Sequence, residues 1–288
     1  LSIKGYDVVQ LVNPFIFPAR GFPRQLVINQ LKKNNKKLFL LAAGSDAFYW
    51  RFADRKLRYT PHADYLKYDK NSSSHVLQSE MNYRFNRFVV SKCDGVIPIM
   101  YDYAVCYDSV PNLRDVIPIP MNTDTVRYCE SEISDKLLVF HGLNRYGFKG
   151  TRFVEQSYKI LEQKYPGKLE LIIKGNMPLA QYLELMARTS IVIDQTNSYS
   201  LGVNGVYALA MGKVVLGGAE PESVMALQGG ESPVLNVLPD ANSIVQQVEK
   251  FIDNPQLLRD TGIRSREYAI SVHDYIRVAK QYIKTWQS

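Results

Sequence analysis

Leu137-Leu-Val-Phe-His141-Gly142-Leu-Asn144-Arg145-Tyr-Gly147-Phe-Lys149-Gly150-Thr151, followed by the helical run Arg152 to Tyr165, decides the fold of this chain. An apolar strand empties into a glycine-bearing loop with two cations spaced Arg-x-x-x-Lys, and the loop opens directly into a helix. A helix start offers free N–H groups and the positive end of the macrodipole, so it favours an anion. Arg145 and Lys149 would add charge-assisted hydrogen bonds of the kind that hold a diphosphate. By spacing alone the same residues also fit a solvated turn with two ordinary surface cations.

The elements downstream continue the alternation. Leu169 to Gly175 reads as a strand ending in a turn, and Leu179 to Arg188 as an amphipathic helix with Tyr182, Leu185 and Met186 at helical spacing. Ile191-Val-Ile-Asp194-Gln195 is a short buried strand that stops at two polar side chains. A polar loop, Thr196 to Gly205, leads into a helix over Val206 to Met211, capped by Gly212-Lys213. The strand Val214 to Gly218 follows and empties into Ala219-Glu220-Pro221-Glu222. In a parallel α/β layout these polar strand ends share one crevice, where such sheets bind ligands.

The run from His141 to Glu222 resembles the C-terminal domain of retaining glycosyltransferases of the GT-B fold, the large family 4 group. The resemblance implies an α/β protein of two Rossmann-like domains. It implies that Arg145 and Lys149, in Asn144-Arg145-x-x-x-Lys149-Gly150, grip the diphosphate of a nucleotide-sugar donor, which is a substrate, so no cofactor is expected. The loop delivering small residues to the donor corresponds to the stretch around Gly202, and the family's E-A-M-A-x-G-K-P-V helix to Tyr207 through Val215. That family carries two glutamates eight positions apart; here Tyr199 and Tyr207 stand in their places.

Three explanations compete for the tyrosines. A divergent subgroup binds the donor through other groups, with Asp194, Gln195, Asn204, Glu220 and Glu222 as polar partners; or the chain is a noncatalytic relative that keeps the phosphate site; or it takes an unusual donor. Packing of amphipathic rings at a helix start also accounts for Tyr199 and Tyr207, and a solvated loop for Glu220 and Glu222.

Composition fits a two-domain enzyme: 288 residues, 46% of them hydrophobic, exceed what one core usually serves. No apolar run approaches the ~20 residues of a membrane span. Cys93, Cys106 and Cys129 form no metal-spaced set and are expected as reduced thiols of a cytoplasmic protein. The net charge of +7 sits almost wholly in the first 130 residues. Its densest cluster, Lys32-Lys33-Asn-Asn-Lys36-Lys37, can rest on an anionic membrane surface or simply complement the end of a helix. No nucleic-acid-reading module accompanies the charge.

The front half also reads as α/β: strands over Tyr6 to Val12, Lys37 to Ala43 and Gly95 to Met100, helices over Gln25 to Lys33 and Val76 to Lys92, and an irregular stretch around Tyr59-Thr-Pro-His62. Arg114 to Asp124 reads as a short strand and Pro-rich passage, and Cys129 to Asp135 as a linker. The expected domains are 1–130, 131–270, and a final helix, 271–288, with an apolar stripe from Tyr275 to Trp286 that the resemblance sends back onto the first domain. Against the GT-B pattern the first domain is short, so the N-terminus is expected to be incomplete.

The resemblance further implies a retaining, metal-independent transfer to a glycan or lipid-linked acceptor, of the kind used in surface polysaccharide assembly at the inner face of the membrane. No Asp-x-Asp pair suited to a divalent ion appears. Asp46 and His62 are candidates to orient acceptor or sugar, although a lone loop histidine is often incidental. A nucleotide- or glycan-binding relative, a sugar-nucleotide epimerase and a membrane-surface scaffold are the competing functions.

Overall fold

The structure is a computed structural model that describes residues 3–16, 23–68, 74–131 and 136–288. In chain order its elements are β1 (Val8–Leu11), α1 (Arg24–Asn34), β2 (Lys37–Ala42), α2 (Ala47–Lys56), α3 (His62–Tyr68), α4 (Ser74–Leu77), α5 (Glu80–Lys92), β3 (Gly95–Pro98) and α6 (Tyr101–Ala104), which runs into a 3-10 turn at Val105–Tyr107. There follow β4 (Leu137–Gly142), α7 (Thr151–Lys164), β5 (Leu169–Lys174), α8 (Leu179–Arg188), β6 (Ile191–Ile193), α9 (Val203–Ala210) and β7 (Val214–Gly217). The last elements are α10 (Pro221–Ala226), β8 (Leu235–Asn236), α11 (Ala241–Asp253), α12 (Leu257–His273) and α13 (Tyr275–Gln287).

Two compact units share these elements: Leu1–Arg58, Asn71–Pro118 and Ala279–Ser288 form the first, and Tyr59–Lys70 with Ile119–Val278 the second. The passage from Ile119 to Glu130, read above with the front half, therefore lies in the second unit. Met121 bridges to Asp274, the Cys129 N–H donates to the Met211 carbonyl, and the Arg266 guanidinium donates to the Thr123, Val126 and Ala210 carbonyls. The linker expected over Cys129 to Asp135 falls mostly outside the described residues.

The first unit holds a parallel sheet of order β1-β2-β3. Leu38, Phe39, Leu40 and Ala42 on β2 are fully buried, with Val27, Ile28 and Leu31 of α1 and Phe85 and Val89 of α5 against the sheet. The segment read as irregular contains two helices. Asp46 caps α2, accepting from the Tyr49 N–H at 2.9 Å. Four of the first five residues of α2 are Ala, Phe, Tyr and Trp, all buried, so no polar face marks its period. Phe48 stacks on Tyr107 with centroids 4.3 Å apart, and Tyr49 meets Tyr103 edge-on at 5.1 Å. The long helix expected from Val76 breaks at Ser79, whose hydroxyl caps α5. Residues from Ala279 onward lie in this unit: the Trp286 indole N–H donates to the Gln10 side chain at 3.0 Å, and Lys37 Nζ donates to the Trp286 carbonyl at 2.8 Å.

The second unit holds a parallel sheet of order β5-β4-β6-β7-β8. Val139, Ile191, Ile193, Val214 and Leu216 are fully buried in one core with Val154 and Leu161 of α7 and Ile244 and Val248 of α11, two helices that pack on each other. The chain goes from β4 outward to β5, then returns across β4 to β6, so the order reverses between β4 and β6. Ligands of open α/β sheets bind at the carboxyl end of such a switch point. α9 begins three residues earlier than the sequence suggests and ends as expected: Gly212, at φ +78°, accompanies bonds from the Lys213 N–H to the Ala208 carbonyl and from the Gly212 N–H to the Leu209 carbonyl.

Candidate functional site

The carboxyl ends of β4, β6 and β7 bring the polar residues of the sequence motif together. His141, the fifth residue of β4, is wholly buried. Its Nδ1 lies 2.9 Å from the Ile193 carbonyl, which can only accept, so Nδ1 carries the proton and Nε2 accepts from the Thr151 hydroxyl at 3.0 Å. Burial, with the Lys149 charge nearby, lowers the imidazole pKa to about 4 and keeps it neutral. One side chain thus ties β4, β6 and the first turn of α7 together. Gly150 precedes α7 at φ +74°, and a Cβ there would lie 2.0 Å from the Thr196 hydroxyl, so the basic loop and the loop after β6 meet at a position open to glycine alone.

Two predicted residues, Lys149 and Asp194, are paired with each other. Lys149 Nζ donates to Asp194 Oδ1 at 2.9 Å, and the Gly202 N–H, at the start of α9, donates to Asp194 Oδ2 at 2.7 Å. The Asp194 carboxylate is fully buried, while 16% of the Lys149 side chain stays exposed. Asp194 therefore anchors the cation and the helix start in register. Arg145 is exposed, its guanidinium 4.4 Å from the Phe148 ring centroid and 5.7 Å from that of Tyr65. No carboxylate pairs with it among the described residues.

Beside this loop lies a cleft of about 300 Å³ lined by Phe140, Asn144, Lys174, Asn176, Tyr182 and Asn204 among others, with no carboxylate in its wall. The Tyr182 hydroxyl donates to Asn204 Oδ1 at 2.6 Å, and its ring lies 6.1 Å from that of Tyr207. Burial raises the Tyr182 and Tyr207 phenols above the ordinary tyrosine range, so both remain protonated donors. The sequence reading found Asn144 and Asn204 here and missed Lys174, Asn176 and Tyr182, while Tyr207 lies outside the wall, behind Tyr182. The end of β5 at Lys174-Gly175 was the available signal, since that strand finishes beside β4.

Other candidates have partners within the protein. Gln195 Nε2 donates to the Ser200 carbonyl at 2.8 Å, inside the loop. Tyr199 is 2% exposed and packs on Tyr59 with centroids 5.0 Å apart. Glu220 is the N-cap position of α10 and is buried, with Oε1 accepting from the Tyr59 hydroxyl at 2.6 Å and from Asn236 Nδ2 at 2.9 Å. Glu222 sits half-buried in the first turn of α10, so neither glutamate is in a solvated loop. Asp46 belongs to the first unit and is consumed there as a helix cap that also accepts from the Tyr107 hydroxyl; burial raises its carboxyl pKa to about 6. His62 is 2% exposed as the first residue of α3 in the second unit. Pro61, directly before it, made the stretch read as irregular and concealed that helix.

The lysine cluster is largely spent on internal partners. Lys32 pairs with Asp94 at 2.6 Å, Lys36 with Asp7 at 2.6 Å, and Lys37 holds the carbonyls of Trp286 and Gln287; Lys33 is exposed. Cys93 and Cys106 are buried and unbridged, Cys129 partly exposed, and burial pushes the Cys93 thiol up to about 12. Among the described residues no helix is long and apolar enough to cross a membrane, and no group of three or more His, Cys, Asp or Glu is placed to hold a metal ion.

No protein-family model and no curated protein matches the sequence. Solved structures do match. The chain is similar to sucrose-phosphate synthase from Thermosynechococcus elongatus, with TM-score 0.65 and 16% identity over 98% of this chain and 73% of that one. It is similar to TarM of S. aureus, with TM-score 0.64 and 12% identity over 98% of this chain and 55% of that one. It is also similar to Anabaena HepE, solved in complex with UDP-glucose, with TM-score 0.62 and 14% identity over 98% and 78%. With its two parallel-sheet α/β units, the chain has the GT-B fold of these proteins.

Proposed function

We propose that the chain is a glycosyltransferase that moves a sugar from a nucleotide-diphosphate donor, with the second unit as the donor-binding unit. The observation that carries this reading is the arrangement at the β4/β6 switch point. Lys149 is joined through Asp194 to the start of α9, whose first N–H groups have no acceptor within the helix, Arg145 is carried four residues earlier on the same loop, and a carboxylate-free cleft opens beside that loop at Asn144. A dianionic diphosphate fits the cations and helix start, and a nucleoside fits the cleft, where Tyr182, Asn204 and Asn144 offer neutral hydrogen-bonding groups. HepE's complex with UDP-glucose favours a UDP-sugar as donor.

Departure of the diphosphate from an oxocarbenium-like sugar builds negative charge on the leaving phosphate. Arg145 and Lys149 stabilise that charge as fixed cations, so the reading is metal-independent. Lys149 shares its ammonium between Asp194 and the incoming phosphate, and the buried Asp194 keeps it aimed. The acceptor is a glycan or lipid-linked sugar and the transfer is retaining, with surface polysaccharide assembly as its setting. A binding protein without turnover is the second reading, favoured by the burial of Tyr199 under Tyr59 where the resembling family has a glutamate.

Thermal shift with UDP, GDP, CMP and ADP, without metal, tests the site on the wild-type chain and Arg145→Ala. A selective upward shift that the substitution abolishes is the expected result. Shifts that survive Arg145→Ala would remove the diphosphate assignment. Release of free sugar from the matching donor then separates the enzyme from a binder.

A further inference from the structure

The segment Tyr59–Tyr68 precedes the second unit's sheet in the chain by a long stretch, yet it belongs to that unit and lies across its ligand-facing loops. At one end, Tyr59 reaches the start of α10 through Glu220 and the loop after β6 through Tyr199. In its middle, Asp64 accepts from Arg152 Nε at 2.9 and 2.7 Å and from Asn197 Nδ2 at 3.3 Å. At the other end, Tyr65 meets Phe148 edge-on at 5.4 Å, and Tyr68 meets Tyr146 edge-on at 4.8 Å. Gly147 runs so close beneath that a Cβ there would lie 2.7 Å from the Asp64 carbonyl.

Arg145, Tyr146, Gly147 and Phe148 therefore all touch this segment. Lys149 is held separately, by Asp194. Among the described residues no carboxylate orients the guanidinium of Arg145, which lies against the rings of Phe148 and Tyr65. A cation over aromatic faces is attracted electrostatically and loses rotamer freedom before any ligand arrives.

We propose that Tyr59–Tyr68 is a positioning strap for the anion-binding loop, and that the buried Tyr65 is a specificity-determining residue because it aims Arg145 at the diphosphate. The inference rests on the donor-binding reading above. It assigns the strap, and α3 in particular, a share of the selectivity for a diphosphate over a monophosphate.

Calorimetric titration of the full chain with the UDP/UMP and GDP/GMP pairs tests it, on wild type, Tyr65→Phe, Tyr65→Leu, Arg145→Ala and the double variant Tyr65→Leu with Arg145→Ala. The expected result is about five-fold weaker diphosphate binding in Tyr65→Leu, monophosphate binding within about two-fold of wild type by the same scale, and rescue in Tyr65→Phe. The double variant should bind like Arg145→Ala alone, since both changes remove one interaction. Equal loss for diphosphate and monophosphate, or additive losses in the double variant, would make Tyr65 a packing residue and overturn the proposal. If Arg145→Ala weakens binding and Tyr65→Leu does not, the strap inference falls while the donor site stands. Absence of any nucleotide binding in wild type sinks both.

Discussion

The two units share one architecture, parallel strands with helical connections, and differ in strand order, in what fills them and in what they do with buried ionisable groups. The second unit packs aliphatic strands against aliphatic helices and, of its three buried histidines, holds His141 and His273 neutral, each with Nδ1 2.9 Å from a backbone carbonyl. The first unit packs rings around α2 and buries a carboxylate, Asp46, among them. Every strand of the second unit before β8 is visible in the sequence, because short aliphatic runs separated by amphipathic helices leave a clean pattern. The aromatic layer of the first unit leaves none. A shared architecture therefore does not bring shared legibility, or shared response to pH.

Substitution of Gly175 should break the comparison most forcefully. A Cβ at this position, just after β5, would lie 1.3 Å from the Leu143 carbonyl, which belongs to the backbone and cannot step aside. Gly175→Ala is expected to cost more than about 3 kcal/mol in the second unit, while the first unit's transition in scanning calorimetry stays in place. Movement of both transitions would show that the units unfold as one.

Acidification should move the units in opposite directions. The imidazoles of His141 and His273 are lowered to about 4 chiefly by burial, so below the ordinary histidine range the unfolded chain takes up protons that the folded unit refuses. Stability of the second unit falls as pH drops, by about 2 kcal/mol per histidine near pH 5. Asp46, raised to about 6 by burial, binds its proton in the folded state first, so the first unit gains about 1 kcal/mol over the same range. Calorimetry at about pH 7.5 and 5 checks the pair of signs. Asp46→Asn should flatten the first unit's response and leave the second's unchanged.

Smaller effects sharpen the boundary between the units. Trp286→Ala removes the bond to Gln10 and the ring contact with Tyr282, and should cost the first unit about 1.5 kcal/mol without touching the second. Lys36→Ala, which breaks a fully exposed pair with Asp7, should leave both melting temperatures unchanged.

What the sequence concealed has a common physical cause. It placed Lys149 and Asp194 at strand ends, yet only the fold shows that two residues 45 positions apart satisfy one another. Asp46 carried a helix-cap signal that its aromatic neighbours masked, because α2 has no polar stripe to give its period. Pro221 marked a first helical position, but without an amphipathic run behind it Glu220 and Glu222 read as loop. Membership of Tyr59–Tyr68 in the second unit depends on long-range pairs such as Asp64 with Arg152, 88 residues away. Local pattern carries strands, helix ends and the basic loop; it does not carry partners.

The α13 contact also sets an order of events during synthesis. Lys37, on the second strand of the first sheet, holds the carbonyl of Trp286, 249 residues later in the chain. At roughly 5–20 residues per second, the ribosome takes on the order of tens of seconds to cover that interval, and by then all of the second unit's strands have been made. The unit that starts first is therefore completed last, and its sheet must wait with an open flank while its neighbour folds. Chaperones that recognise exposed apolar strands would find their window in that wait, on residues such as Leu38 and Leu40, which are buried in the finished molecule.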